Sequence, residues 1–262
     1  MRYENPAYMA EDAGAADIIA GGGLQPGISR GHREQVIEGY RHFGYNPADD
    51  DLGGANMARE KTLRLLDFLK PEGFAEPNPQ PMFPNPPGLL RLEPYSDGLR
   101  DRIWWGAGSR PTAEWAAQMG MNMMSSTLVT EDAGVPFHVL QAEQIRLYRE
   151  AWQQAGHTFE PRVSVSRSIF PLMDDRDRAY FGVNRENRDQ VGFIDGGKAT
   201  FGRTYAGEPD KLVEQLAKDE AIQAADSLLL TIPNQLGVDY CAHVLESFAK
   251  HVAPGLGWTP SP

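Results

Sequence analysis

The sequence predicts an α/β fold with a mainly parallel sheet, of the barrel type. Three observations carry this. Helical and strand-like stretches alternate along the chain, and such alternation implies parallel strands joined by right-handed crossovers. The stretch Ile103 to Thr127, IWWGAGSRPTAEWAAQMGMNMMSST, reads as strand, glycine turn, helix, strand. The 262 residues, 41% of them hydrophobic, suffice for one large α/β domain or two small ones. A barrel is the natural closed form, and it gathers functional groups at the C-terminal ends of its strands.

The elements follow in order. Tyr8 to Ala16 reads as a helix whose apolar face continues through Ile18 and Ile19, ended by Gly21 to Gly23. Leu24 to Ser29 reads as a short strand, at an edge or distorted, because Pro26 cannot donate to a ladder. Glu34 to His42 is a candidate short helix, and Asp49 to Gly54 a solvated turn. Met57 to Leu69 is amphipathic, with Leu63, Leu66 and Leu69 at helical spacing. Residues 71–98 are rich in Pro, Asn and Gly. They read as an ordered surface excursion, since Met82, Phe83, Leu89, Leu90 and Leu92 ask for burial; disorder is the competing reading.

In the central unit, Ile103 to Trp105 is a strand and Thr112 to Met119 a helix. Pro111 suits the first helical position and Gly120 the stop. Met121 to Met124 is a buried strand, and residues 128–136 are a loop. Phe137 to Ala155 is a long helix closed by Gly156, and Arg162 to Leu172 a strand with alternating serines. Residues 174–206, charged and glycine-rich, read as a second surface insertion. Glu208 to Lys218 is a helix that Asp219 to Ala225 extends, Ser227 to Ile232 a strand, and Asp239 to His251 the last helix. No internal repeat is evident.

Composition narrows the partners. The net charge of −11 argues against nucleic acid or an anionic membrane, which demand a basic face. The single cysteine, Cys241, excludes an intrachain disulfide and fits a reducing cytoplasm. No apolar run approaches membrane-spanning length, and the start, MRYENPAYMAEDAGAAD, is polar rather than signal-like.

Two groups could carry chemistry. Arg30 and the Gly108, Ser109, Thr112 turn both follow expected strands, so a parallel fold puts them on one face. A guanidinium and a helix start bearing two hydroxyls make a phosphate clamp. The plainer reading makes Ser109 a helix cap and Arg30 a surface ion-pair partner. The six histidines show no metal-ligand spacing, and His32 reads as an exposed loop residue. Ser109 lacks the G-x-S-x-G setting of a hydrolase nucleophile. Gly21 to Gly23 follow a helix, whereas a dinucleotide fingerprint follows a strand. Trp104, Trp105, Trp115 and the methionines at 119, 121, 123 and 124 read as core.

GGLQPGISRG, then Phe43-Gly44, then TAEWAAQMGMNMMSS together resemble the bacterial luciferase-like flavin monooxygenases, from about Tyr8 to Trp258. The resemblance implies a (β/α)8 TIM barrel using reduced FMN, or a deazaflavin in some members. It places Arg30, Ser109 and Thr112 on the flavin phosphate, with Gly108 lending backbone. Ser29 would lie near the flavin ring, where the luciferases have a cysteine, and Ser126 would also face the flavin. Relative to the family, the chain lacks the three N-terminal βα units and keeps about five strands, near Leu24, Ile103, Met121, Val163 and Leu228. Gly23 stands where the family usually has an arginine, and Pro26 where it has an apolar strand residue.

The implied protein is one partial barrel domain over residues 1–262. It would be a cytoplasmic flavoprotein monooxygenase oxygenating a small organic substrate, such as an aldehyde, with dioxygen, served by a flavin reductase and working as a homo- or hetero-oligomer. No metal is implied. Trp104, Met123 and Ser126 would wall the pocket. The alternatives are a family member that is inactive without a partner completing the barrel, and a phosphate-binding barrel enzyme of another kind.

Overall fold

The computed structural model describes residues 1–31, 36–182, 188–194 and 197–259. By contact the chain forms two compact units. The first comprises Met1–Gly106 with Met119–Asn122, and the second Ala107–Gln118 with Met123–Pro262.

In the first unit, helix α1 (Pro6–Ile19) starts under the Asn5 side chain, whose Oδ1 accepts from the amides of Ala7 and Tyr8. Strand β1 (Gly27–Ile28) is shorter than the sequence suggests, because Pro26 cannot donate to a ladder. Its carbonyl still accepts from Trp104 N, and β1 pairs in parallel with a later strand, Trp104–Gly106. Residues 32–35, hence His32 and the start of the expected helix at Glu34, lie outside the described residues; Gly39–Phe43 is a 3-10 turn.

The turn at 49–54 is not merely solvated. Asp51 is buried and accepts from the amides of Asn56 and Met57. It thereby caps helix α2 (Ala55–Phe68), which packs on α1. Leu63 is exposed; the buried face of α2 is Ala58, Thr62, Leu65 and Leu66, continued by Leu69. In the 71–98 excursion, Ala75 bridges Leu90, but Met82 and Phe83 are 90% and 73% exposed. The expected burial fails for these two and for Leu89, which is exposed as well: the prolines around them deny a regular element that could turn them inward. The unit closes with β2 (Trp104–Gly106).

The second unit opens with α3 (Arg110–Gln118), so Pro111 takes its second position. Ala113, Ala116 and Ala117 are fully buried and let α3 lie close on the long helix Phe137–Ala155. Strand β3 (Asn122–Ser125) follows. The expected loop at 128–136 contains β4 (Leu128–Val129). Helix α4 (Phe137–Ala155) ends at Gly156 with φ +71°, as the sequence reads.

The expected single strand at 162–172 is two, β5 (Val163–Arg167) and β6 (Ile169–Pro171). The 174–206 segment holds α5 (Asp175–Phe181), the hairpin β7 (Gln190–Ile194) and β8 (Gly197–Phe201), and β9 (Tyr205–Gly207). Helices α6 (Pro209–Leu216) and α7 (Glu220–Ala224) are separate, because Asp219 caps α7 through the Ile222 amide. Strand β10 (Ser227–Leu230) and helix α8 (Val238–His251) finish the chain.

Within this unit β3, β5 and β10 run parallel, with β5 between the other two. β6 pairs in parallel with β9, and β4, β8 and β7 form a small antiparallel sheet. Ile169, Tyr205, Leu212, Leu216, Phe248 and Val252 make the core behind β10. The result is the expected α/β fold with mainly parallel pairing.

Candidate functional site

The sequence-derived residues fall in both units, and each group is built locally. In the first unit, Ser29 and Arg30 are half-buried just past β1. The Ser29 hydroxyl accepts from Gly31 N at 3.1 Å, closing a tight turn in which Gly31 has φ +93°. Ser29 is therefore a turn-former here. Its carbonyl accepts from the Met1 nitrogen at 2.8 Å, and the Arg30 carbonyl accepts from Arg2 Nε at 3.0 Å. A Cβ on Gly106 would stand 3.1 Å from Ser29 Cβ, so a glycine suits the end of β2. Trp104 is buried, its indole donating to Gln25 Oε1, and Trp105 is buried too.

In the second unit the start of α3 brings Gly108, Ser109 and Thr112 together. The two hydroxyl oxygens are 3.1 Å apart, and Thr112 Oγ1 accepts from Ser109 N at 3.0 Å. The Thr112 hydroxyl also reaches the Ser109 carbonyl oxygen at 2.9 Å. That oxygen already accepts from Ala113 N and from Gln144 Nε2. Either hydroxyl can thus turn its hydrogen outward without orphaning a main-chain group. The capping reading and the clamp reading are compatible. The Gly108 carbonyl is held by the amide and hydroxyl of Thr130.

Sequence reasoning missed an acid at this spot. Glu131 Oε2 accepts from Arg110 N at 3.0 Å and from Arg110 Nε at 3.2 Å. The helix start carries its own carboxylate, as its dipole favours. Ser126 is exposed just past β3, and Gln141 Nε2 donates to its carbonyl. Met123 is fully buried, so it is core.

Behind these positions runs a buried polar relay that the sequence reading also missed. Ser125 Oγ meets Gln144 Oε1 at 2.6 Å and Gln141 Nε2 at 2.7 Å. Gln141 Oε1 accepts from Arg167 Nη1 at 2.7 Å, and Arg167 makes a two-point ion pair with Asp219 at 2.8 Å. Tyr205 OH completes it on Asp219 Oδ2. Burial alone pushes the Asp219 carboxyl up. The Arg167 hydrogen bonds and charge, with Tyr205 and the Ile222 amide, outweigh it and hold the group below the ordinary carboxylate range. The available signal was two glutamines one turn apart on the apolar face of α4.

Asp174, Asp177 and His243 also cluster closely enough to share an ion. Both Asp177 oxygens are already engaged. Asp177 accepts from the amides of Met173 and Asp174 and from Tyr240 OH, and His243 Nε2 lies 3.0 Å from it. Asp174 caps α5 in return. This cluster staples α5 to α8. No helix among the described residues is long and apolar enough to cross a membrane.

No family model matches the sequence, and no curated protein matches it. Solved structures do. A crystal structure of the monooxygenase RslO1 from Streptomyces bottropensis is similar over 97% of this chain and 75% of its own, with TM-score 0.66 and 16% identity. The oxygenating constituent of 3,6-diketocamphane monooxygenase from Pseudomonas putida, in complex with FMN, gives 97% and 76%, TM-score 0.60 and 18% identity. An F420-dependent secondary alcohol dehydrogenase with an F420-acetone adduct gives 93% and 75%, TM-score 0.55 and 12% identity. At these identities the likeness establishes the fold. The neighbours are mainly luciferase-like monooxygenases in longer chains, the group the sequence motifs resemble.

Proposed function

We propose that the chain is a flavin-dependent oxidoreductase of the luciferase-like monooxygenase type, and that FMN is its cofactor, a deazaflavin such as F420 being the second choice. The observation that supports this best is the start of α3 on such a fold. Two coupled hydroxyls and a glycine stand at the positive end of a nine-residue helix. The donor set fits a phosphate monoester, because both hydroxyl hydrogens are available without breaking main-chain pairing. The family resemblance assigns Gly108, Ser109 and Thr112 to that phosphate, and separately assigns Arg30 to it. Bound reduced flavin supplies the electrons with which dioxygen is activated, and the substrate is a small organic molecule such as an aldehyde. The protein's own part is to seat the phosphate, orient the ring and keep water away.

The test is a comparison of FMN with riboflavin by fluorescence quenching. Arg30→Ala should weaken FMN roughly tenfold or more, the loss of one charged hydrogen bond, and leave riboflavin unchanged. Equal loss for both would remove the phosphate assignment. Glu131 works against an incoming dianion at the α3 start. Glu131→Gln should therefore strengthen FMN about two- to fivefold in the same assay, again sparing riboflavin.

A second reading rests on β10. Among the described residues that strand pairs with β5 on one side and with nothing on the other, and Leu229 is exposed. The chain spans about three quarters of the neighbours' length, 75% for RslO1. On this reading it is a partial barrel, active only when a partner chain adds strands. Size-exclusion chromatography with light scattering distinguishes the two: a monodisperse species that binds FMN supports the first, and binding that appears only on assembly supports the second.

A further inference from the structure

We infer that Arg2 is a positioning residue for the phosphate-binding arginine, holding the Ser29–Gly31 turn from behind. This inference rests on the assignment of Arg30 to the cofactor phosphate. Arg2 is almost fully buried, which is unusual for an arginine. Its guanidinium serves two main-chain oxygens, Nε donating to Arg30 O and Nη1 to Gly53 O, each at 3.0 Å. Three glycines line its path. A Cβ on Gly31 would stand 3.3 Å from Nη2, and one on Gly54 3.1 Å from Cδ; Gly53 offers the carbonyl. All three have positive φ, at +93°, +66° and +72°, a conformation few side chains accept.

The stem of the socket is fixed as well. Lys61 Nζ donates to Arg2 O at 2.9 Å, tying the residue to α2, and the Tyr40 ring lies 5.5 Å from the guanidinium carbon. Arg2 therefore joins the N-terminal segment, the capping turn of α2 and the turn after β1. The carbonyl it grips belongs to Arg30 itself. A carbonyl anchored in this way fixes the peptide plane, and hence the direction in which the Arg30 side chain leaves the backbone. The positive charge of Arg2 also adds to the field that an anion meets at that turn.

The readout is the ratio of riboflavin to FMN dissociation constants, which isolates the phosphate. Arg2→Met should lower that ratio about tenfold while riboflavin binding holds. In an Arg30→Ala background the same change should have no further effect on the ratio, because Arg2 acts through Arg30. Arg2→Gln, which keeps one donor, should recover part of the loss and serves if Arg2→Met does not fold. An unchanged ratio in a folded variant, or equal loss of both ligands, overturns the inference while leaving the function standing. So does failure of both variants to fold, since Arg2 is then only structural. A wild-type protein that binds FMN no better than riboflavin overturns the phosphate assignment and this inference together.

Discussion

Asp219→Ala is expected to cost the protein about 3–5 kcal/mol, read as a lower urea midpoint for the second unit. The carboxylate is fully buried, and Arg167 is 2% exposed beside it. Removing the acid takes the paired charge away from a buried guanidinium that also reaches Gln141 and the Ser166 carbonyl. It also frees Tyr205 OH and uncaps α7. Asp219→Asn, which keeps the shape and some of the hydrogen bonds, should lose less. The pH dependence has a definite sign. The folded carboxyl titrates below its unfolded value of about 3.9, so its contribution is whole above that value and disappears as pH falls through the lower, folded one. The gap between wild type and Asp219→Ala should close in acid below about pH 4. A gap independent of pH would show that the ion pair contributes nothing beyond packing.

The matching change in the first unit is Asp17→Ala, with an expected loss of about 3–5 kcal/mol. Asp17 is fully buried on α1. One oxygen accepts from Leu24 N at 2.8 Å; the other meets Ser96 Oγ at 2.6 Å and pairs with Arg102. It thus joins α1, the approach to β1 and the end of the 71–98 excursion. Burial raises its carboxyl, and the Ser96, Leu24 and Arg102 contacts outweigh that and lower it. This contribution is likewise present above the unfolded carboxylate value and lost toward acid. Arg102→Met should be the milder change, because Ser96 and Leu24 still satisfy the acid. Equal losses for the two would argue against Asp17 as the hub.

What could be read from the sequence was what local chemistry punctuates. Phe137 to Ala155 was legible because Gly156 provides the left-handed stop. The break between β5 and β6 was not. The run VSVSRSIF stays strand-like throughout, while at Ser168 the chain changes partner, Ser168 O taking Tyr205 N. Partner choice is a long-range fact that periodicity does not carry. The β7–β8 hairpin was hidden because Val191 and Phe193 point outward, reversing the usual relation of apolarity to burial.

The candidate residues divide in the same way. Residue types near Arg30, Ser109 and Thr112 were readable, since they sit in short motifs. Glu131 reaches Arg110 from 21 positions away and Arg2 reaches Arg30 from 28, distances no spacing rule covers.

Gln144 holds both the Ala107 and Ser109 carbonyls and meets Ser125, while Gln141 holds Ser126 and meets Arg167. The hydroxyls at the start of α3 are thereby bolted to a nineteen-residue rod. Their stiffness is that of the scaffold, not of a loop tip. An anion bound there, as proposed, would find its donors already aimed, with little ordering entropy left to surrender on contact.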